Sequence, residues 1–300
     1  MEMEANPPPR VSIGLPVYNG ENFLAAALDS LLAQSFSDFE LIISDNASTD
    51  GTSEICRNYA AKDPRVRYFR SEINHGAAWN FNNTFHLSRG KYFKWAAHDD
   101  SHHPDFLLKC VEVLDGSPEV VLCFTRTTFI DADGHETKEY KYRLDLSEAP
   151  LRKRFFHFVS GGYIVHEIFG VFRSDILRKT RLIGGYLGSD LVLLGKLNLY
   201  GDFYQVQECL FQHREHPDRS MKKPAGAENF TEWYDSSKSG RFAMPHWRRM
   251  YENTLSVLHH PLGFSDKLGC LLEICRYAKW QRKDLTGDLV RVSRQFRFWN

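Results

Sequence analysis

Val11-Ser12-Ile13-Gly14-Leu15-Pro16-Val17-Tyr18-Asn19-Gly20 is the stretch that decides the fold. From Val11 to Val17 it reads as a buried strand, and Asn19-Gly20 turns it into a helix from Glu21 to Gln34. The pattern repeats downstream. A strand from Phe39 to Ser44 leads through the loop Asp45 to Gly51 into a helix from Thr52 to Lys62. A strand from Val66 to Phe69 leads past Asn74-His75-Gly76 into a helix from Ala77 to Ser88. A strand from Tyr92 to Ala96 runs straight into His98-Asp99-Asp100, followed by a helix from Pro104 to Leu114. Strands alternating with helices of this length predict an α/β fold with a mostly parallel, Rossmann-like sheet covered on both faces. Ligands of such sheets bind at the carboxyl ends of the strands. Tyr18-Asn19, Asp45-Asn46 and His98-Asp99-Asp100 fall at such ends and are predicted to converge.

Working outward, the second half is less regular. It offers a strand from Val121 to Phe129, a turn at Asp131-Ala132-Asp133-Gly134, a charged stretch from His135 to Arg154, and Gly184-Gly185-Tyr186-Leu187-Gly188-Ser189-Asp190 opening a helix from Leu191 to Tyr200. Five segments are expected: a disordered tail over 1–10, a regular half over 11–115, a less regular half of the same domain over 116–220, which the resemblance given below makes the nucleotide-sugar-binding and the acceptor-binding halves, a mobile loop over 221–240, and a helical extension over 241–300.

The 300 residues, 42% of them apolar, suffice for a sizeable core. Lys and Arg (38) cancel Asp and Glu (38), so no dominant basic surface argues for a nucleic-acid partner. Cys56, Cys110, Cys123, Cys209, Cys270 and Cys275 form no CxxC pair and read as reduced thiols of a cytoplasmic protein. The start, MEMEANPPPR, has acids and prolines where a secretory signal would be basic and apolar, and no apolar run approaches the roughly 20 residues that span a bilayer.

Chemistry enters with the acids. Breaking a sugar-diphosphate bond builds negative charge on the leaving phosphate, which a divalent cation can neutralise. Hard cations such as Mg²⁺ or Mn²⁺ take carboxylate oxygens, and Asp99 and Asp100 at a strand end suit that role. The alternative is that Asp100 or Ser101 caps the following helix.

The company these residues keep resembles glycosyltransferase family 2, enzymes of the GT-A fold. The likeness is carried by Val11 to Gly20, by Ser44-Asp45-Asn46-Ala47-Ser48-Thr49-Asp50-Gly51-Thr52, by Asn74-His75-Gly76 before a helix, and by Gly90-Lys91-Tyr92 with a strand ending in Asp-Asp. It covers Val11 to about Leu114 and thins afterwards. The resemblance implies a GT-A type α/β fold and donor contacts from Pro16, Tyr18, Asn19, Asp45, Asn74, Asp99 and Arg214. It implies metal ligation by Asp100, with Asp99 serving ribose or metal and His216 a further ligand. Many members read Asp-x-Asp-Asp at the acidic motif, where this chain has Ala97-His98-Asp99-Asp100. Either His98 contacts the donor or it packs at the strand end. Asp45 has an Asx-turn as its alternative role.

Transfer with inversion also needs a general base near the acceptor hydroxyl. The resemblance places it at Asp190, where Ser189 stands for the family's usual first acid. An N-cap role for Asp190 is compatible with that, since the positive helix end keeps a carboxylate ionised. Arg214-Glu215-His216 resembles the family's Arg-x-His element, which reaches diphosphate or metal. The Gln-x-x-Arg-Trp motif of processive members is absent, so addition of a single sugar is expected.

The implied donor is a nucleoside-diphosphate sugar, UDP or dTDP favoured, and the acceptor a saccharide, lipid-linked or protein hydroxyl. The C-terminal Arg276, Lys279, Arg282, Lys283, Arg291, Arg294 and Arg297 lie among Trp280, Phe296, Phe298 and Trp299. Such a stretch either packs its aromatics on the domain or touches the inner membrane face. Two other enzyme classes fit poorly. A sugar nucleotidyltransferase needs a basic, Gly-rich loop after the first strand and a dinucleotide oxidoreductase needs GxGxxG there, and neither is present. An inactive nucleotide-sugar-binding relative remains as the reading without turnover, for which Ala97 and Ser189 speak.

Overall fold

The computed structural model describes residues 7–142, 149–217, 232–238 and 244–297, with side chains to Ser293. β1 (Val11–Val17), β2 (Phe39–Asp45), β3 (Val66–Arg70) and β4 (Tyr92–Trp95) lie in the order β3-β2-β1-β4, all parallel. α1 (Leu24–Leu32), α2 (Thr52–Lys62) and α3 (Ala77–His86) are their crossovers. β1 pairs with β2 along its whole length but with β4 only as far as Gly14. Pro16, which has no N–H to give, therefore sits past the last β4 pair. α1 begins three residues later than expected, at Leu24 instead of Glu21. Glu21 is occupied elsewhere: its N–H donates to the Asp50 carboxylate at 3.2 Å and its own carboxylate accepts the Gly51 N–H at 2.6 Å.

The chain continues through β5 (Ser101–His102), α4 (Phe106–Gly116), β6 (Val120–Ile130), β7 (Glu136–Glu139), α5 (Leu151–Ser160), a 3-10 turn Glu167–Phe169, β8 (Val171–Arg173), α6 (Ser174–Leu177), α7 (Ser189–Asn198) and β9 (Asp202–Arg214). The sheet extends as β4-β8-β6-β9-β5, with β7 paired to β6. β6 and β9 run parallel over a long ladder, while β8 is antiparallel to both of its neighbours. The mostly parallel expectation thus holds for the long ladders, and β8 is a short antiparallel insertion. β7, α5 and β8 lie in stretches where the sequence showed no clear period.

Side chains of β4 divide between the two faces, as strand alternation requires. Tyr92 joins the core under α1 and α4, with Leu28, Leu31, Phe106 and Leu107. Phe93 and Trp95 join the opposite core with Phe85, Phe172, Leu193 and Leu194. Lys94, on the Tyr92 side, has no solvent exposure at all. Its ammonium donates to the carbonyls of Trp95 and Phe169 and lies 4.3 Å from the centre of the Phe106 ring. Burial pushes this amine down to about 7.

The consequence for stability has a definite sign. Above the folded value the folded state has released a proton that the unfolded chain keeps up to its ordinary value, so raising the pH from about 7 towards 10 stabilises the fold. Lys94→Met should lack this gain, whose upper bound is about 5 kcal/mol. Thermal melts of both proteins across that pH range check it.

The C-terminal segment forms α8 (Pro245–His259), α9 (Phe264–Trp280) and α10 (Arg282–Arg297). Val257, Cys270, Ile274 and Tyr277 pack against Phe155 and Val159 of α5. α10 is tied to α8 by the Trp247 indole N–H on the Leu285 carbonyl at 2.9 Å and by Asp288, which accepts the His246 N–H at 3.0 Å and pairs with Arg291 at 2.6 Å. Trp280 is exposed, and Arg294, Phe296, Arg297, Phe298 and Trp299 have side chains outside the described residues. Among the described residues no helix is long and apolar enough to cross a membrane. All six cysteines are free.

Of the expected mobile loop over 221–240, only 232–238 is described. That piece packs against the body: the Ser236 hydroxyl donates to the Asn74 carbonyl at 2.7 Å, and a Cβ on Gly76 would meet the Tyr234 carbonyl at 2.7 Å.

Candidate active site

Three loops at the carboxyl ends of β1, β2 and β3 are stitched together. Asn19 sits at a φ of 52° after β1, in the left-handed region that asparagine tolerates better than most residues. Its N–H donates to the Ser48 hydroxyl at 3.0 Å and its side-chain oxygen accepts the Thr49 N–H at 2.8 Å. Asn46 donates to the Asn74 side-chain oxygen at 2.7 Å and accepts the His75 N–H at 3.0 Å. Tyr18 stands at the rim of this surface, 46% exposed, and Trp79 lies against His75 in a tilted contact with ring centres 4.2 Å apart.

Asp45 is fully buried beneath these loops. Its carboxylate accepts the Ser48 N–H at 2.8 Å, the Ser53 hydroxyl at 2.7 Å and the Tyr68 hydroxyl at 2.8 Å, with Arg70 at 3.3 Å. Burial would raise this carboxyl, but the hydrogen bonds from Ser48, Ser53 and Tyr68 outweigh it and hold it below the usual carboxylate range. One of these bonds, to the N–H three residues on, closes the loop, and the others come from α2 and β3.

The acidic end of β4 separates its two carboxylates. Asp100 is turned inward and 2% exposed; it accepts the Arg214 N–H at 2.9 Å, and His213 Nδ1 lies 3.1 Å from it. Asp99 faces outward, with His216 Nε2 3.0 Å from its Oδ2. Burial works against the charge on Asp99, but neighbouring His98 and the bond to His216 outweigh it and hold the carboxyl below its usual range. His98 itself packs across Gly20, where a Cβ would come within 2.5 Å of the imidazole.

Arg214 is 4% exposed, and its guanidinium donates to the carbonyls of Asp99 (2.8 Å), Asp131 (3.0 Å) and Ala132 (2.9 Å). Those bonds tie the end of β9 to the end of β4 and to the β6–β7 turn. Phe23 covers the pair, 4.5 Å from the His216 ring and 5.1 Å from the Arg214 guanidinium. Asp131, Asp133 and His135 also approach one another closely, but they are half-buried or exposed in the β6–β7 turn, where Asp131 accepts the Asp133 and His135 N–H groups.

Asp190 stands in the first turn of α7, after Gly188 at a φ of 81°. Its Oδ1 accepts the N–H of Leu191 at 2.8 Å. Burial raises its carboxyl above the usual range, opposed by that bond and by the charge of Arg249. Arg249 belongs to α8 and occupies the space a Gly188 Cβ would need, 2.8 Å away. Glu167 lies close enough that the Asp190 charge adds to the burial that pushes its carboxyl up to about 8.

Thus the structure brings the Tyr18, Asn19 and Asn74 loops together, places Asp99 with His216, and buries Pro16, Asp45, Asp100 and Arg214 beneath. Two neighbours of the Asp190 segment, Glu167 and Arg249, were not singled out from the sequence. Glu167 had a signal, a lone carboxylate inside Val165-His166-Glu167-Ile168-Phe169-Gly170-Val171. Arg249 had none, because only the packing of α8 brings it to α7.

Residues 12–180 match the sequence profile of Glycosyl transferase family 2. An uncharacterised protein of Sinorhizobium fredii is 29% identical over 265 residues, covering 86% of this chain and 27% of that one. An uncharacterised glycosyltransferase of Rickettsia prowazekii is 33% identical over 215 residues, covering 68% of this chain and 62% of its own. The chain therefore spans less than two thirds of the length of these relatives. Among solved structures, S. aureus TarS 1-349 in complex with UDP-GlcNAc superposes with a TM-score of 0.69 at 16% identity, covering 93% of this chain and 79% of that one. The mannosyltransferase PcManGT from Pyrobaculum calidifontis, in complex with GDP-Man and Mn²⁺, gives 0.53 at 16% identity, covering 98% and 84%. At such identity the likeness shows the fold, a GT-A type α/β domain with a helical C-terminal part.

Proposed function

The chain belongs to glycosyl transferase family 2, and we propose that it moves a single sugar, with inversion, from a nucleoside-diphosphate sugar to an acceptor hydroxyl. One observation carries this reading: an outward carboxylate and an imidazole, Asp99 Oδ2 and His216 Nε2, stand 3.0 Å apart at the carboxyl ends of parallel strands. They lie beside a surface built from the loops of Tyr18, Asn19 and Asn74. A separation of 3.0 Å is that of two adjacent ligands of an octahedral ion with bonds of about 2.1 Å. Asp99 and His216 therefore fit a divalent cation, Mn²⁺ or Mg²⁺, and this assignment moves the metal role from the inward Asp100 to Asp99. A cation there neutralises charge on the departing diphosphate.

The remaining work belongs to the chain. Tyr18 and Asn19 form the rim on which the nucleobase lies, with Asn74 bracing the loop behind it. Asp190 takes the proton of the acceptor hydroxyl as that oxygen bonds to the anomeric carbon and the bond to the diphosphate breaks. A single displacement of this kind inverts the anomeric centre. On this reading 11–115 is the donor half and 116–220 supplies the acceptor side. A peripheral membrane contact of the C-terminal segment has in its favour the exposed Phe264, Leu268 and Leu272 at successive turns of α9.

A melting screen over UDP-, dTDP- and GDP-sugars, with and without Mn²⁺, tests the reading. One donor should raise the melting temperature by several degrees, and more with Mn²⁺ than without. Indifference to every nucleotide sugar in both conditions would sink the donor site.

A further inference from the structure

Beside Asp190 lie polar atoms with nothing to bond. Glu167 is 1% exposed, and among the described residues neither of its carboxyl oxygens has a hydrogen-bond partner. The Tyr163 hydroxyl is buried and equally unpartnered. Buried polar groups are nearly always matched, so a cluster of unmatched ones marks a place where something else belongs. We propose that Glu167 and Tyr163 form the acceptor subsite, binding hydroxyls of an acceptor sugar next to the hydroxyl that Asp190 deprotonates. This rests on the transfer reading above and assigns its acceptor to the saccharide class.

The chemistry of the cluster suits a sugar. With its carboxyl pushed up to about 8, chiefly by burial and further by the Asp190 charge, Glu167 is protonated at neutral pH. It then offers one donor and one acceptor, the complement of a sugar hydroxyl pair. The groups facing it are Tyr140 and Tyr142 from the segment after β7, Tyr163 before the 3-10 turn, and Asp190 of α7. His157 adjoins the tyrosines, and burial pushes its imidazole down to about 4, so it brings no positive charge. Two neighbouring acids thus take different parts, Glu167 binding in its neutral form and Asp190 serving proton removal.

The subsite is also held firmly. Tyr163 stacks on Tyr142 with ring centres 4.9 Å apart and planes within 8°. The turn that carries Glu167 is pinned at its far end by the Lys94 ammonium on the Phe169 carbonyl.

Saturation-transfer NMR with glucose, galactose, mannose and N-acetylglucosamine, each with UDP present, tests the inference. At least one sugar should contact the wild type. Its affinity should fall roughly tenfold or more in Glu167→Ala and in Tyr163→Phe, and be kept in Glu167→Gln, which mimics the neutral acid. Wild-type binding should weaken between about pH 7 and 9 as Glu167 ionises, whereas that of Glu167→Gln should not. That comparison stands even if the alanine variant fails to fold. No sugar contact with the wild type, or equal contact in all variants across pH, overturns the proposal. UDP affinity should be the same throughout; a wild type that does not bind UDP would instead overturn the donor reading.

Discussion

Asp190→Asn is expected to lower sugar transfer by on the order of a thousandfold while leaving nucleotide affinity as it is. Asparagine preserves shape and can still accept the Leu191 N–H through its side-chain oxygen, so the first turn of α7 keeps its geometry. What disappears is the carboxylate that, on the proposed reading, takes the acceptor proton. The pH dependence sharpens the expectation. Activity needs ionised Asp190, so it falls as the pH drops through the folded value of that carboxyl, which burial sets above the ordinary range. Arg249 opposes the shift, and Arg249→Met should therefore move the acid limb to higher pH. Single-turnover transfer measured across pH, beside nucleotide binding by calorimetry, separates the two effects. Loss of nucleotide binding in Asp190→Asn would make the residue part of the donor site or the scaffold.

Legibility followed the range of the interactions. The units from β1 to α4 were readable because each is local: an apolar run, a turn and a helical pattern within about thirty residues suffice. The convergence of the Tyr18, Asp45 and His98 loops followed from sheet topology alone. What each side chain does there was less readable. Asp45 reads as a nucleobase ligand or as an Asx-turn or cap, and the sequence does not show Ser53 and Tyr68, which reach its carboxylate from α2 and β3. Ser160 closes a helix whose charged start, Arg152-Lys153-Arg154, hid the apolar Phe155 and Phe158 that pack inside. Glu167 acquires meaning only when α7 brings Asp190 to it. A buried acid without a partner is a property of the assembled site, visible in sequence only as an odd charge in an apolar run.

The acidic pair at the end of β4 gives the second large effect, because its two members should fail in different ways. Asp99→Asn removes the outward carboxylate while leaving the Asp99 carbonyl that receives Arg214. The fold should melt as before, and the part of nucleoside-diphosphate affinity that depends on Mn²⁺ should drop by at least about 100-fold, more than the loss of a supporting residue around a metal. Asp100→Ala should do the reverse. It leaves the buried Arg214 N–H without its acceptor and His213 without its neighbouring charge, at a cost of about 1–3 kcal/mol for the orphaned donor. The melting temperature should fall by several degrees, while Mn²⁺ still strengthens nucleotide binding in the protein that remains folded. The resemblance gives Asp100 to the metal and Asp99 to ribose or metal; the proposed site shifts the weight to Asp99, because adjacency in the chain does not say which carboxylate a strand end turns inward. That decision is made by β9, more than a hundred residues away, whose Arg214 N–H meets Asp100 and whose continuation brings His216 to Asp99. If Asp100→Ala abolished the Mn²⁺ effect with an unchanged melting temperature, the metal would belong to Asp100 and the pairing of Asp99 with His216 would be structural.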